Sequence, residues 1–362
     1  MDYSFRGIQC KKEEAELHCW GAEKVKGPLT RLYFKFPKLE DDEVRIRVTH
    51  TGLCRTDVHK IMGDWNFNIT WPIVTGHEIV GFIEKIGAKV KKFKVVDKAC
   101  FGVFRDCCGN CNYCLSGNDQ LCKKCPYVWT YDPHLGGYST FLQAKEYFTF
   151  ALPNNLYEYK APPILCAGVT VFAPIKRYCV PGGKCAVIGI GGLGHMAVQY
   201  AHKMGMKVYT LTTTREKEEL SKMLGSDETI LTSNKESMAK FAKEEVDLII
   251  NSAMMTDVTP YMAGLKLGTG VFVQTAIPPV SNPMIYNNLD LVIGQKTLVG
   301  SIVGSRKEVQ ETLDFSSQFG VLPITENFTW ADMPKAFEKL NYGRPIFRCV
   351  CDVAETFDEC HK

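Results

Sequence analysis

The run Cys185-Ala186-Val187-Ile188-Gly189-Ile190-Gly191-Gly192-Leu193-Gly194-His195-Met196-Ala197-Val198-Gln199-Tyr200 decides the fold. Its apolar beginning reads as a strand and its end as a helix. Gly189, Gly191 and Gly194 punctuate the turn between them in the pattern G-x-G-x-x-G. In such a turn the first glycine permits the tight bend, the second lets a pyrophosphate approach the backbone, and the third lets helix and strand pack closely. The helix N-terminus adds free N–H groups and a partial positive charge for the phosphates. Gly189, Gly191, Gly192, Leu193 and Gly194 are therefore expected to hold a dinucleotide.

Outward from this turn the same rhythm repeats. A helix at 195–204 ended by Gly205 leads to a strand at 207–212, a helix at 216–224 ended by Gly225, a strand at 229–232, a helix at 235–244 and a strand at 246–250. Alternating strands and helices of these lengths predict a parallel, doubly wound sheet. Upstream, over about 44–150, β-rich runs such as Val44-Arg45-Ile46-Arg47-Val48 are broken by Gly, Asp and Asn, which predicts an antiparallel strand-and-loop domain. The texture changes near Pro163, where a helix is expected at 166–177 and a strand at 184–190. Helices at 307–319 and 333–340 and a strand at 346–353 close the chain. The expected division is a β-rich domain of 1–165 and 306–362 around a dinucleotide domain of 166–305.

Cofactor choice is read at the end of the second strand of the dinucleotide domain. NAD-selective turns carry an Asp or Glu there to bond the ribose 2′-OH. This chain has Thr212-Thr213-Thr214-Arg215-Glu216-Lys217 instead. The hydroxyls of Thr212, Thr213 and Thr214 with the cation of Lys217 suit a 2′-phosphate, so NADP(H) is expected. The bland alternative is a threonine N-cap with a solvated first turn, and Glu216 counts on that side.

The 362 residues, 45% hydrophobic and 23% charged, suffice for two domains and exclude a disordered tail. Net charge is 43 − 40 = +3, and the lysine run 89–98 alternates with Val and Phe as an exposed strand and turn would. Nucleic acid and anionic membrane are accordingly not expected partners. No apolar stretch approaches the roughly 18 residues of a bilayer span, and the N-terminus does not read as a signal peptide, so a cytoplasmic protein is expected. The odd feature is 16 cysteines. In a reducing compartment they read as metal ligands, free thiols or small buried hydrophobes rather than disulfides.

Cys108, Cys111, Cys114 and Cys122 follow C-x2-C-x2-C-x7-C in a loop rich in Gly and Asn. Four thiolates so close can close a tetrahedral zinc site, which has no open position and is therefore structural. An iron-sulfur cluster is the competing reading, and the neighbours Cys107 and Cys125 are rival claimants.

Further groups lie at Cys54-Arg55-Thr56-Asp57-Val58-His59, Gly76-His77-Glu78, Leu165-Cys166-Ala167-Gly168-Val169-Thr170 and Gly304-Ser305-Arg306-Lys307-Glu308. Singly each is weak, since a lone Cys is usually a buried hydrophobe and a lone His a satisfied surface or core residue. In this order around the glycine turn and the four-cysteine loop, they make the chain resemble the zinc-dependent medium-chain alcohol dehydrogenases over about 44–353. The branch it resembles is that of the cinnamyl alcohol dehydrogenases.

The resemblance implies an α/β protein with a β-rich GroES-like catalytic domain and a Rossmann domain. It also implies two Zn²⁺ per chain, NADP(H), and interconversion of small primary alcohols and aldehydes. Cys54, His77 and Cys166 match the catalytic zinc ligands, Glu78 a carboxylate that approaches the metal, and Asp57 the group that orients His77. Thr56 and His59 match a proton relay, Arg55 and Thr170 cofactor contacts, and Trp65, Trp129 and Ile302 pocket walls. The family often has an aromatic at 302 and a Gly at 96, where this chain has Ile302 and Val96, and the loop 129–136 is shorter here. Relatives pair through an edge strand, so 297–303 is the expected homodimer contact. Reduction of conjugated C=C or C=N bonds is a rival reading, disfavoured because the matching ligands are all present. A non-catalytic zinc-stabilised NADPH-binding protein is another, and it requires one zinc per chain instead of two.

Overall fold

Alternation of Val44, Ile46 and Val48 with Arg45 and Arg47 produces the eleven-residue strand Glu43–Leu53, whose apolar set is buried. The computed structural model describes residues 8–65, 69–124, 136–343 and 345–354. Two units divide them: Met1–Cys166 with Ser305–Ser317 and Leu322–Lys362, and Ala167–Gly304 with Gln318–Val321.

In the first unit a seven-stranded sheet runs Thr325–Thr329, Arg348–Asp352, Glu43–Leu53, Ile79–Ile86, Lys98–Phe101, Thr149–Ala151, and Phe141–Lys145 also pairs with Glu43–Leu53. Its neighbours are antiparallel except Thr325–Thr329 beside Arg348–Asp352. The register sets Thr51 opposite Ile79, and Gly52 N–H donates to Glu78 O at 2.8 Å. Cys54 leaves one strand where His77 and Glu78 enter its neighbour, so the pairing itself brings the two segments together.

Two differences from the sequence reading stand out in this unit. Leu17–Gly21 and Thr30–Lys35 form a further sheet with Ile8–Gln9; its strands are short and one carries His18 and Trp20 on the less buried side, which hides the alternation. Leu17, Cys19 and Gly21 are the buried positions. The lysine run is not an exposed strand. Only Lys98 enters a strand, because Val96 turns the chain with φ 71° and Asp97 accepts from Lys94 N–H at 2.8 Å. A left-handed β-branched residue is strained by roughly 1–2 kcal/mol, and this is the position where the family that the chain resembles often has glycine.

The second unit is a six-stranded parallel sheet in the order Glu228–Leu231, Lys207–Thr212, Lys184–Ile188, Leu248–Asn251, Val271–Gln274, Thr297–Gly300. In chain order that is 3-2-1-4-5-6, the Rossmann arrangement, with the glycine turn after its first strand at the point where the strand order reverses. The helix expected at 216–224 is a single tight turn, Arg215–Lys217, followed by the helix Glu218–Met223. Strand Val271–Gln274, only four residues long, was not legible in the rhythm. Tyr209, Phe241, Ile249 and Phe272 pack in its core. Among the described residues no helix is long and apolar enough to cross a membrane.

Candidate functional site

Cys54 is the N-cap of helix Arg55–Met62, and its backbone N–H donates to Asp57 Oδ2 at 3.0 Å. The strand thus delivers the thiol, and the capping carboxylate fixes it. Cys54 Sγ lies 3.8 Å from Cys166 Sγ, and His77 Nε2 lies 3.2 Å from the same sulfur. One ligand atom from each of Cys54, His77, Glu78 and Cys166 fits within 4.8 Å of the others, and all four residues are buried. Two thiolates on a tetrahedral zinc, at about 2.3 Å from the metal, are separated by about 3.8 Å. The donor set and its spacing fit zinc.

Behind the ligands, Asp57 Oδ1 accepts from Gly76 N–H at 2.9 Å and lies 3.2 Å from His77 Nδ1, while Oδ2 accepts from Tyr138 Oη at 2.8 Å. With Nδ1 facing Asp57, Nε2 is the His77 nitrogen turned toward the sulfurs. Glu78 pairs with Arg348 through Oε1, and its Oε2 is buried with no hydrogen-bond partner in the described structure.

The cluster holds protons that a cation must displace. The bond to Cys166 holds the Cys54 thiol well below its ordinary range against burial, and the same bond pushes Cys166 well above. Burial opposes the His77 cation, but the charge and hydrogen bond of Asp57 prevail and raise it to about 10. Burial raises Glu78 to about 7 although Arg348 pulls the other way. Burial, then Asp57, hold the Tyr138 phenol well above its ordinary range, so it remains a donor.

Thr56 and His59 follow on the same helix, half-buried and buried, one turn apart. His59 Nδ1 lies 2.6 Å from Asp64 Oδ2, its Nε2 is buried without a hydrogen-bond partner among the described residues, and the Trp65 ring lies 4.8 Å from its own. Arg55 Nη1 donates to Leu340 O at 2.5 Å and Asn341 O at 3.0 Å, at the end of helix Met333–Tyr342. That placement serves a helix C-terminus whose carbonyls lack partners. Thr170 is buried in helix Ala167–Tyr178, and Ile302 is half-buried two residues beyond Thr297–Gly300. Trp129 and Cys125 lie outside the described residues.

Arg348, Tyr138 and Asp64 were missed by the sequence reading. Only Arg348 carried a signal: a lone charge in the apolar run Phe347-Arg348-Cys349-Val350-Cys351 must be paired if buried.

The four-cysteine loop forms a second cluster, with Cys108 Sγ 3.9 Å from Cys114, Cys111 3.6 Å from Cys114, and Cys122 3.6 Å from Cys108. These separations also fit tetrahedral zinc. Backbone N–H groups, that of Asn110 foremost, lower Cys108 to about 6, and Lys124 N–H points at Cys122 Sγ at 3.4 Å. Among the described residues the metal-fitting set is Cys108, Cys111, Cys114 and Cys122, without Cys107.

At the glycine turn, Gly189 has φ 81° and a Cβ there would come within 2.8 Å of Ala253 Cβ, while a Cβ on Gly194 would collide with Gly189 O. Gly191 is different, because a Cβ there would meet nothing within 4 Å. The protein's own packing requires two of these glycines, and the third leaves an open approach that a dinucleotide fits. Gly192 and Leu193 lie in the turn that leads to helix Gly194–Lys203. Ser252 Oγ braces the turn at Ile188 O and Gly189 O, 2.9 and 2.7 Å away, and Lys217 Nζ donates to Ile190 O at 2.6 Å. Thr212 is buried at its strand end, Thr213 exposed and Thr214 half-buried.

Comparison with known proteins agrees with this geometry. Residues 40–154 match the family model described as alcohol dehydrogenase GroES-like domain, and 192–318 that described as zinc-binding dehydrogenase. A Medicago sativa protein named as a probable mannitol dehydrogenase is 35% identical over 93% of this chain and 95% of its own length. A cinnamyl alcohol dehydrogenase structure from Sorghum bicolor matches with TM-score 0.87 at 33% identity, covering 93% of this chain and 98% of that one. The structure of CAD from Helicobacter pylori complexed with NADP(H) gives 0.87 at 28% identity, with 96% and 99% covered.

Proposed function

Because the chain belongs to the zinc-binding medium-chain alcohol dehydrogenases, with the cinnamyl alcohol dehydrogenase-like architecture, we propose that it interconverts primary alcohols and aldehydes with NADP(H), acting mainly as an aldehyde reductase. The observation that carries this reading is the donor set itself: two thiols, an imidazole and a carboxylate meet in a buried cluster with zinc spacing.

Zinc held by Cys54, His77 and Cys166 supplies Lewis acidity toward the substrate oxygen. Glu78, with one oxygen tied to Arg348 and the other without a hydrogen-bond partner in the described structure, would offer a further donor to the same ion. Asp57 keeps the Nδ1 proton of His77 in place. The Thr56 hydroxyl and His59 move the substrate proton, and Asp64 beside Nδ1 leaves Nε2 as the exchanging atom. Such relays are worth roughly 10²- to 10⁴-fold.

NADP(H) supplies the hydride. Gly189, Gly191, Gly192, Leu193 and Gly194 cradle its pyrophosphate, with Arg55 and Thr170 carried over as further contacts. Thr212, Thr213, Thr214 and Lys217 take the 2′-phosphate. By the family resemblance, Trp65 and Ile302 would each face substrate. Cys108, Cys111, Cys114 and Cys122 hold a second, structural zinc. The edge strand Thr297–Gly300, with exposed Leu289, Val292 and Ile293 near it in sequence, suits a homodimer. None of the fourteen described cysteines is in a disulfide, which suits the cytoplasm.

His77→Ala should lower zinc from two ions per chain to one and abolish NADPH-dependent reduction across a panel of aromatic and aliphatic aldehydes. Retained activity would refute the assignment. Thr213→Asp should reverse the cofactor preference, and equal use of NADPH and NADH by the unmodified enzyme would refute the 2′-phosphate reading.

A further inference from the structure

Asp57 is wholly buried, and its carboxylate has four donor partners. That number fills the roughly four acceptor sites a carboxylate has. Three of the four come from the ligand segments: Cys54 N–H, Gly76 N–H and His77 Nδ1. The fourth, the Tyr138 hydroxyl, comes from elsewhere in the chain, 81 residues away.

We propose that Tyr138 is a positioning residue of the catalytic metal centre, holding the orientation of His77 through Asp57. The proposal rests on the reading of His77 as a zinc ligand. Oδ1 serves the His77 side of the carboxylate and Oδ2 serves Cys54 and Tyr138, so rotation of the carboxylate away from Tyr138 disturbs both ligands at once.

Tyr138 grips the same turn a second way. Gly76 has φ 99°, and a Cβ there would come within 2.6 Å of Tyr138 Cδ1. Tyr138 N–H donates to Thr75 O at 2.9 Å, and Gly137 N–H to Gly76 O at 2.8 Å. The ring therefore abuts the turn that presents His77, while the hydroxyl anchors the carboxylate behind it. A phenylalanine preserves the first contact and deletes the second. If packing alone mattered, Phe would serve equally well.

The test is Tyr138→Phe in the full chain loaded with two zincs. Outer partners of metal ligands are worth 10- to 100-fold in affinity, and Tyr138 stands one bond further out. One zinc should therefore pass to a chelator about tenfold faster than in the unmodified protein, while the other leaves at its original rate. After cobalt substitution, the d–d absorption of the faster site should also change. Unchanged release and superimposable cobalt spectra would overturn the proposal, as would acceleration at both clusters, which reports general loosening. His77→Ala in the same assay separates the two ideas. If it loses one zinc while Tyr138→Phe behaves as the unmodified protein, only the role of Tyr138 falls; if it keeps both zincs, the ligand assignment falls first.

Discussion

Two cysteine-bearing clusters of four residues are alike in spacing and opposite in construction. The cluster of Cys54, His77, Glu78 and Cys166 is entirely buried, and its two thiols are 112 residues apart. The cluster of Cys108, Cys111, Cys114 and Cys122 lies within residues 108–122, and three of its thiols are half-exposed. Paired strands, a capped helix and the side chains of Asp57, Tyr138 and Arg348 assemble the first. The second has mainly backbone N–H groups and short turns around it. On the proposed reading the fold builds the first site for a metal, whereas the second would need a metal to build its loop.

The largest contrast should appear when each cluster loses one thiolate. Cys54→Ser should cut aldehyde reduction at least about a thousandfold, the scale of several kcal/mol of Lewis-acid stabilisation, with little change in Tm. Cys111→Ser should lower thermal stability by several kcal/mol, because the loop loses the metal energy that orders it. Zinc analysis, steady-state rates and thermal unfolding of the two variants decide the matter. A thermally silent Cys111→Ser beside an unfolded Cys54→Ser would break the comparison.

Proton linkage gives a second, smaller contrast. His77 is raised to about 10, and one proton is shared between Cys54 and Cys166, so near neutral pH a metal entering the buried cluster displaces about two protons. A raised pKa means the proton competes throughout the range below it, so affinity falls as pH falls. The expected loss approaches about 100-fold per pH unit. Zinc release to a chelator between pH 7.5 and 6 should show this slope, and a flat profile would contradict it.

Much of the fold was legible because its signals are local. The glycine turn carries strand, bend and helix within sixteen residues. The residues that gather in the two clusters were legible through their joint order around that turn. Arg348 and Tyr138 were not, since their partners lie 270 and 81 residues away and a single Arg or Tyr has no periodicity to betray it. Asp64 is only five residues from His59, yet it sits beyond Gly63, whose φ of 75° ends the helix and turns the chain back. The pairing is produced by that turn rather than by helical spacing. Leu17–Gly21 escaped for another reason, because five residues with His and Trp on the outer side give too short an alternation.

The smallest expected effect sharpens the loop cluster. Spacing alone left Cys107 as a rival to Cys108, and the two are adjacent. In the structure the Cys107 backbone N–H donates to Asp106 Oδ1 at 2.8 Å, and Asp106 is in turn 3.0 Å from Lys145 Nζ, so the residue is anchored on the side of strand Phe141–Lys145. Burial raises its thiol, whereas Cys108 is lowered by the N–H groups that face it. Among the described residues Cys108, and not Cys107, stands within metal-ligand reach of Cys111, Cys114 and Cys122 together. Cys107→Ser should therefore keep two zincs per chain and shift stability by no more than about 0.5 kcal/mol. Cys108→Ser should lose a zinc and destabilise the loop as Cys111→Ser does. If the two serine variants behaved alike, the loop would be exchanging ligands between neighbours, and its contrast with the rigid buried cluster would be deeper than drawn.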